Sequence, residues 1–172
     1  MKNIYTLFIL FCLTIIISAQ PDGAIKLNDG WKFKSDDDLN YRMPLLDESN
    51  WQNISITKVW DYQGYDKLGG YAWYRIKFTI PSSLKETSML KDSIKIFLGR
   101  IDDYDQTFLN GRLIGVNGRN AFTFNSSDDS FTKEQPVPWA KDRRYMLGLD
   151  DPRILWDKEN VIAVRVYDQG GA

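Results

Sequence analysis

From position 71 to 80 the chain alternates without a break. Ala72, Tyr74, Ile76, Phe78 and Ile80 fall on one side, Tyr71, Trp73, Arg75, Lys77 and Thr79 on the other, and Pro81 ends the run. A period of two belongs to a strand, and apolar residues on one side predict a half-buried antiparallel strand. Positions 93–98 repeat the pattern, with Ile94, Ile96 and Leu98 inward and Lys95 outward. Positions 161–167 do so again, with Ile162, Val164 and Val166 as the core side. Between them, 104–109 and 112–116 flank Asn110-Gly111, a pair suited to a type I′ turn because both central residues there need positive φ. Positions 31–34, 54–57 and 144–147 are weaker strands. Only 47–52, capped by Asp47, suggests a turn or two of helix. Many short strands without a long helix predict an all-β chain, an antiparallel sandwich or barrel.

The loops at 58–70 and 118–143 break this spacing, and loops of that length commonly carry function. They and their flanks hold Trp60, Tyr62, Tyr65, Trp139, Arg119 and Arg143. Flat aromatic faces stack on the C–H face of a sugar ring, while charged neighbours hydrogen-bond its hydroxyls. These six are the candidate sugar-binding residues. Trp73, inside the alternating strand, reads instead as packing beneath a loop.

Charge and composition narrow the chemistry. The 22 basic and 23 acidic residues leave a net charge of −1, which argues against a nucleic-acid surface. Histidine is absent, which excludes Ser-His-Asp and Cys-His catalysis and every histidine-ligated metal. Met1 to Asn3 carry Lys2, positions 4–17 are almost wholly apolar, and Ser18-Ala19-Gln20 follows. This reads as a signal peptide over 1–19, leaving a single β-sandwich domain over 20–172 that is secreted or periplasmic, with no transmembrane segment after cleavage. Cleavage also removes Cys12, the sole cysteine, so the remainder has neither disulfide nor thiolate; that suits a bacterial exported protein.

Carboxylates remain. In a strand, Asp103 and Asp105 lie about 6.5–7 Å apart on one side, which overlaps the lower end of the inverting glycosidase spacing. Acidic residues at a strand entrance more commonly cap turns, and catalysis also requires a cleft and opposed placement across a sugar. No catalytic residue is assigned. Hard oxygen donors make Asp102, Asp103 and Asp105 a weak calcium candidate.

These residues resemble a known family. Trp31-Lys32-Phe33, positions 47–51, Trp73-Tyr74-Arg75 within the 70–75 run, Phe78-Thr79-Ile80-Pro81, Leu98-Gly99-Arg100-Ile101-Asp102-Asp103, Asp105, Asn110-Gly111, Arg144-Tyr145 and the 160–166 run are similar to the sugar-binding domain of glycoside hydrolase family 2. The resemblance implies a galactose-binding-like jelly roll of two antiparallel sheets. The same domain accompanies β-galactosidase-like and β-glucuronidase-like enzymes and sialate O-acetylesterase-like proteins, and the 101–105 segment resembles the esterase-associated form most. In all of these the catalytic residues lie in another domain. The resemblance therefore implies a carbohydrate-associated module that is non-catalytic by itself, with carbohydrate or a catalytic hydrolase domain as partner. The alternative is an N-terminal fragment of a complete glycosidase or esterase, since the family continues past the point where 168–172 stops.

Overall fold

The computed structural model describes residues 23–66, 68–87, 92–118 and 140–169. Among these residues, eight strands run in chain order: β1 (Lys32–Lys34), β2 (Gln52–Asn53), β3 (Gly70–Thr79), β4 (Ser93–Arg100), β5 (Tyr104–Leu109), β6 (Arg112–Asn117), β7 (Asp142–Gly148) and β8 (Glu159–Asp168). Six of them form one sheet in the order β2-β1-β3-β8-β5-β6, and β4 and β7 form a second sheet of two. Every pairing between these strands is antiparallel. The chain is thus an all-β antiparallel sandwich. Among the described residues, helix is confined to single turns at Leu39–Arg42, Trp60–Gln63 and Leu84–Thr87. Among the described residues, no helix is long and apolar enough to cross a membrane.

β3 and β8 pair over ten residues each at the centre of the large sheet, from Gly70 opposite Asp168 to Thr79 opposite Glu159. The inner side packs on the small sheet: Phe33, Ala72, Ile76, Leu109, Ile162, Val164 and Val166 meet Ile96 and Leu147 in the main core. The half-buried expectation for β3 needs correction. Its other side is covered around Trp73 and Arg75, which are both fully buried, while Lys77 and Thr79 on that side stay exposed. A strap of chain between β1 and β2 lies over them, and Trp51, Trp73, Phe108 and Ala163 form a second apolar cluster with Tyr41 and Leu46. The alternation hides this because Arg75 is polar, yet its Nε donates to Glu48 at 2.8 Å.

Two weaker expectations also fail. Positions 54–57 form no strand; the short β2 lies just before them. The Gln63 side chain takes both backbone groups of Ser55, and Ser55 Oγ accepts the Thr57 N–H, so side chains replace a sheet ladder there. Positions 47–52 make a turn rather than a helix. Asp47 accepts the Ser49 N–H at 2.9 Å and the Trp51 N–H reaches Glu48 O at 3.0 Å, after which Gln52 pairs with Phe33.

The hairpin stands as the sequence predicts. Asn110 has φ of 50° and Gly111 of 80°. Asn110 also ties the turn to β8 and to the segment before it, since its Oδ1 accepts from Val161 N and its Nδ2 donates to Arg153 O, both at 2.8 Å. Gly111→Val places a β-branched residue at positive φ and is expected to cost about 1 kcal/mol or more, whereas Gly111→Asn, which tolerates that conformation, costs less. Thermal unfolding checks the pair, and equal midpoints for parent and Gly111→Val would reject this role for the turn.

Candidate functional site

The sandwich opens at one end into a cleft of about 400 Å³. Three segments shape it. The first is the loop at 55–61 that leads into Trp60. Gln63 fixes this loop from behind: its Oε1 accepts Ser55 N at 2.9 Å and its Nε2 donates to Ser55 O at 2.9 Å and Lys58 O at 3.0 Å. The second is the end of β4, where the register with β7 slips between Phe97 and Gly99, and Gly99 takes φ of 71°. Such a bulge re-aims the residues after it, here Arg100, Ile101 and Asp102, all of which line the cleft. The third is the Leu27–Asn28 stretch, held by the Trp31 indole N–H donating to Leu27 O at 2.7 Å.

The cleft floor is apolar, made of Trp31, Trp60, Tyr74, Val164 and Val166. At its mouth stand Ile56, Val59 and Phe97, exposed at 45%, 56% and 56% respectively. Lys58, Asp61, Arg100, Asp102 and Asp168 also line it, and Arg100 Nε lies 3.9 Å from Asp142. The Asp102 carboxyl is pushed up to about 6, first by lost hydration and then by Asp103, which hydrogen-bonds and repels it, and by Asp168; Arg143 pulls the other way.

The sequence candidates separate in space. Trp60 is 7% exposed and belongs to the core, stacked on Tyr74 with ring centroids 6.5 Å apart and its edge toward Phe33. Tyr65 packs on Phe33 at 4.5 Å, while Tyr62 projects into solvent. The three therefore present no common stacking surface. Trp139 and Arg119 lie outside the described residues. Arg143, read as a sugar contact, is 1% exposed and belongs to a buried network instead. Sequence reasoning missed Ile56, Val59, Phe97 and Arg100, although the loop around Trp60 pointed at one wall.

That network joins the two sheets. Arg143 Nε on β7 donates to Asp105 Oδ1 on β5 at 2.5 Å, with both side chains fully buried. Its Nη2 donates to Ile101 O at 2.7 Å and Asp103 O at 3.1 Å, and its Nη1 to Lys141 O at 2.5 Å. Asp105 Oδ2 accepts from Thr107, Asn117 and Tyr145 at 3.2–3.3 Å. Burial, ahead of the Asp105 charge, pushes the Tyr145 hydroxyl up to about 12, so it remains a donor. Asp103 lies apart, accepting the Gln169 N–H at 3.1 Å. Asp103 and Asp105 thus do not face a common cleft. The calcium reading of Asp102, Asp103 and Asp105 is corrected as well: the chain's own donors occupy Asp105, and no group of three such side chains among the described residues could hold a metal ion.

No family model matches the chain, and no curated protein does. Solved structures do. β-Glucuronidase 2 of Bacteroides uniformis superposes with a TM-score of 0.61 at 21% identity, over 84% of this chain and 14% of that one. A glycosyl hydrolase family 2 member from Bacteroides cellulosilyticus gives 0.59 at 19%, over 84% and 17%. A β-glucuronidase of Bifidobacterium dentium gives 0.55 at 16%, over 81% and 19%. The chain shares the fold of a segment of these glycosidases. It spans less than a fifth of the length of each, and at these identities the likeness is one of fold.

Two measurements follow from the polar groups. Asp105→Asn leaves the Arg143 cation buried without its counter-charge and is expected to cost about 3–5 kcal/mol in urea unfolding. A single variant as stable as the parent would refute the network's role. Asp102 in the unfolded chain titrates near about 3.9. Between there and about 6 the folded chain holds a proton that the unfolded chain has lost, so this residue's contribution to stability falls as pH rises through that window. Asp102→Asn is expected to flatten that part of the melting-temperature profile; an unchanged profile contradicts it.

Proposed function

We propose that this chain is a carbohydrate-associated β-sandwich module of an exported family 2-type glycosidase, non-catalytic by itself, with catalytic groups supplied by a separate hydrolase domain. The observation that carries this reading is the superposition over 84% of the chain on glycosidases of which it spans 14%. The internal chemistry supports it. Of the two carboxylates best spaced for hydrolysis, Asp105 is locked in a buried ion pair and Asp103 caps a backbone N–H elsewhere. A hydrolytic pair needs both carboxyls across one substrate, with one raised in pKa. The galactose-binding-like character of the sandwich, and export through cleavage after Ala19, belong to the same proposal, as do carbohydrate or the hydrolase domain as partner. The glycosidase names of the structural neighbours favour a glycosidase over an esterase setting.

The purified chain is expected to turn over neither nitrophenyl glycosides nor acetyl esters, and the exported product to have a mass that begins at Gln20. Turnover that survives repurification and is lost in Asp102→Asn or Asp103→Asn would overturn the non-catalytic reading. A product that retains residues 1–19 would overturn the export reading.

A further inference from the structure

We propose that the outer edge of β6 pairs antiparallel with the same strand of a second copy of this chain, with Leu113 opposite Val116 of the copy and Ile114 opposite its Gly115. The proposal goes beyond the reading of the chain as a module and does not depend on it.

The two edges of the large sheet differ. At one, β2 is only two residues long, and Lys32 Nζ donates to Asn53 Oδ1 at 2.8 Å across it, so that edge offers little backbone to a partner. At the other, β6 runs for six residues and, among the described residues, is hydrogen-bonded to β5 alone. Edges of that length are usually guarded by lysine, proline or an inward charge. β6 reads Arg112-Leu113-Ile114-Gly115-Val116-Asn117, its one charge stands at the first residue, and Leu113 and Val116 are each nearly half exposed.

A bulge selects the partner. Thr107 pairs with Gly115 and Phe108 with Leu113, which leaves Ile114 unmatched. The sides of β6 therefore do not simply alternate. Arg112 and Asn117 pair with Leu109 and Asp105, both buried on the inner side. Ile114 packs on the main core, and Gly115 lies so near the Tyr145 ring that a Cβ there would come within 2.0 Å of it. Leu113 and Val116 face the strap side instead. Their partners on β5 are Phe108, a member of the second apolar cluster, and Gln106, which accepts from Arg165. Along the strand the order runs inner, outer, inner, inner, outer, inner, and it is the same from either end.

A two-fold axis beside the 114–115 peptide thus sets every residue against one of the same side: Arg112 against Asn117, Leu113 against Val116, Ile114 against Gly115. A regular strand follows β6 only by leaving one of its residues unmatched, as β5 does; the same bulged strand matches all six. Charge agrees with this register. No like charges are opposed, and the two Arg112 side chains stand roughly 16 Å apart along the pair, the span from 112 to 117, beyond the screening length of about 8–10 Å. Six residues a side make a small interface, which predicts a weak dimer with a Kd of about 10–100 µM.

The test is sedimentation equilibrium of the purified chain across that range, with hydrogen exchange of the β6 amides at both ends of it. The parent is expected to dimerise, with β6 amides more protected at the higher concentration. Leu113→Lys changes a half-exposed position, so the fold is expected to persist, which circular dichroism checks, and the dimer to weaken about tenfold or more. Two double variants read the register. Leu113→Lys with Val116→Glu sets opposite charges against each other twice, whereas Leu113→Lys with Val116→Lys opposes two lysines twice; the first is expected to dimerise about tenfold or more tighter than the second. Four results would overturn the pairing: a monomer throughout the range, β6 exchange that does not change with concentration, a dimer that folded Leu113→Lys leaves unchanged, or double variants of equal affinity. Should a variant unfold, sedimentation and exchange of the parent decide alone. None of these results bears on turnover or export.

Discussion

The ion pair between Arg143 and Asp105 ties the two sheets to each other and both to the cleft. Two charges buried together lose much of their hydration, and the attraction between them repays that only when every remaining donor and lone pair is used. Here Asp105 takes three further donors and Arg143 reaches three backbone carbonyls. Two of those carbonyls belong to Ile101 and Asp103. Arg143 thereby holds the turn that carries Asp102 to the cleft rim. A group first read as a sugar contact acts one step back, by positioning the residues that can make contact.

The outer side of the large sheet repeats the arrangement with different partners. Arg75 and Arg165 rise from β3 and β8 among aromatic rings, and the strap answers with Glu48 and Asp37. The indole N–H of Trp73 also donates to Asp37, at 3.0 Å. Arg75 keeps one nitrogen, Nη2, without a hydrogen-bond partner. Magnitudes divide the labour. Each fully buried large apolar side chain contributes about 1.5–3 kcal/mol, whereas a buried ion pair is often no better than an apolar pair of equal volume. The apolar clusters therefore supply most of the stability, and the arginines dictate which strap and which loop lie where.

The cleft follows from this framework. One wall is a loop whose backbone hydrogen bonds are satisfied by the Gln63 side chain, and the other is a strand end turned by a bulge at a left-handed glycine. The first wall lies outside the strand ladders, whereas Gly99 and Arg100 at the end of β4 still pair with Arg143 and Asp142 of β7.

Local signals made the strands legible. The alternation of β3, β4 and β8, the Asn110-Gly111 turn and the all-β class depend on side-chain period and backbone sterics, which act over a few residues. The stronger strands carry those signals over most of their length. Positions 54–57 and 47–52 misled because side chains of Ser55, Gln63 and Asp47 satisfy the backbone there in ways a residue pattern does not show. The site was legible only as a region. Trp60 marked a loop that walls the cleft, but its own face turned inward, and the lining residues Val59, Phe97 and Arg100 carry no pattern that sets them apart. Partners such as Glu48 for Arg75, Asp105 for Arg143 and Asp37 for Arg165 lie 27, 38 and 128 residues away. Hydrophobic period is written along the chain, whereas the pairing of a buried charge is decided by which distant segment fills the remaining space, and only the folded structure settles that.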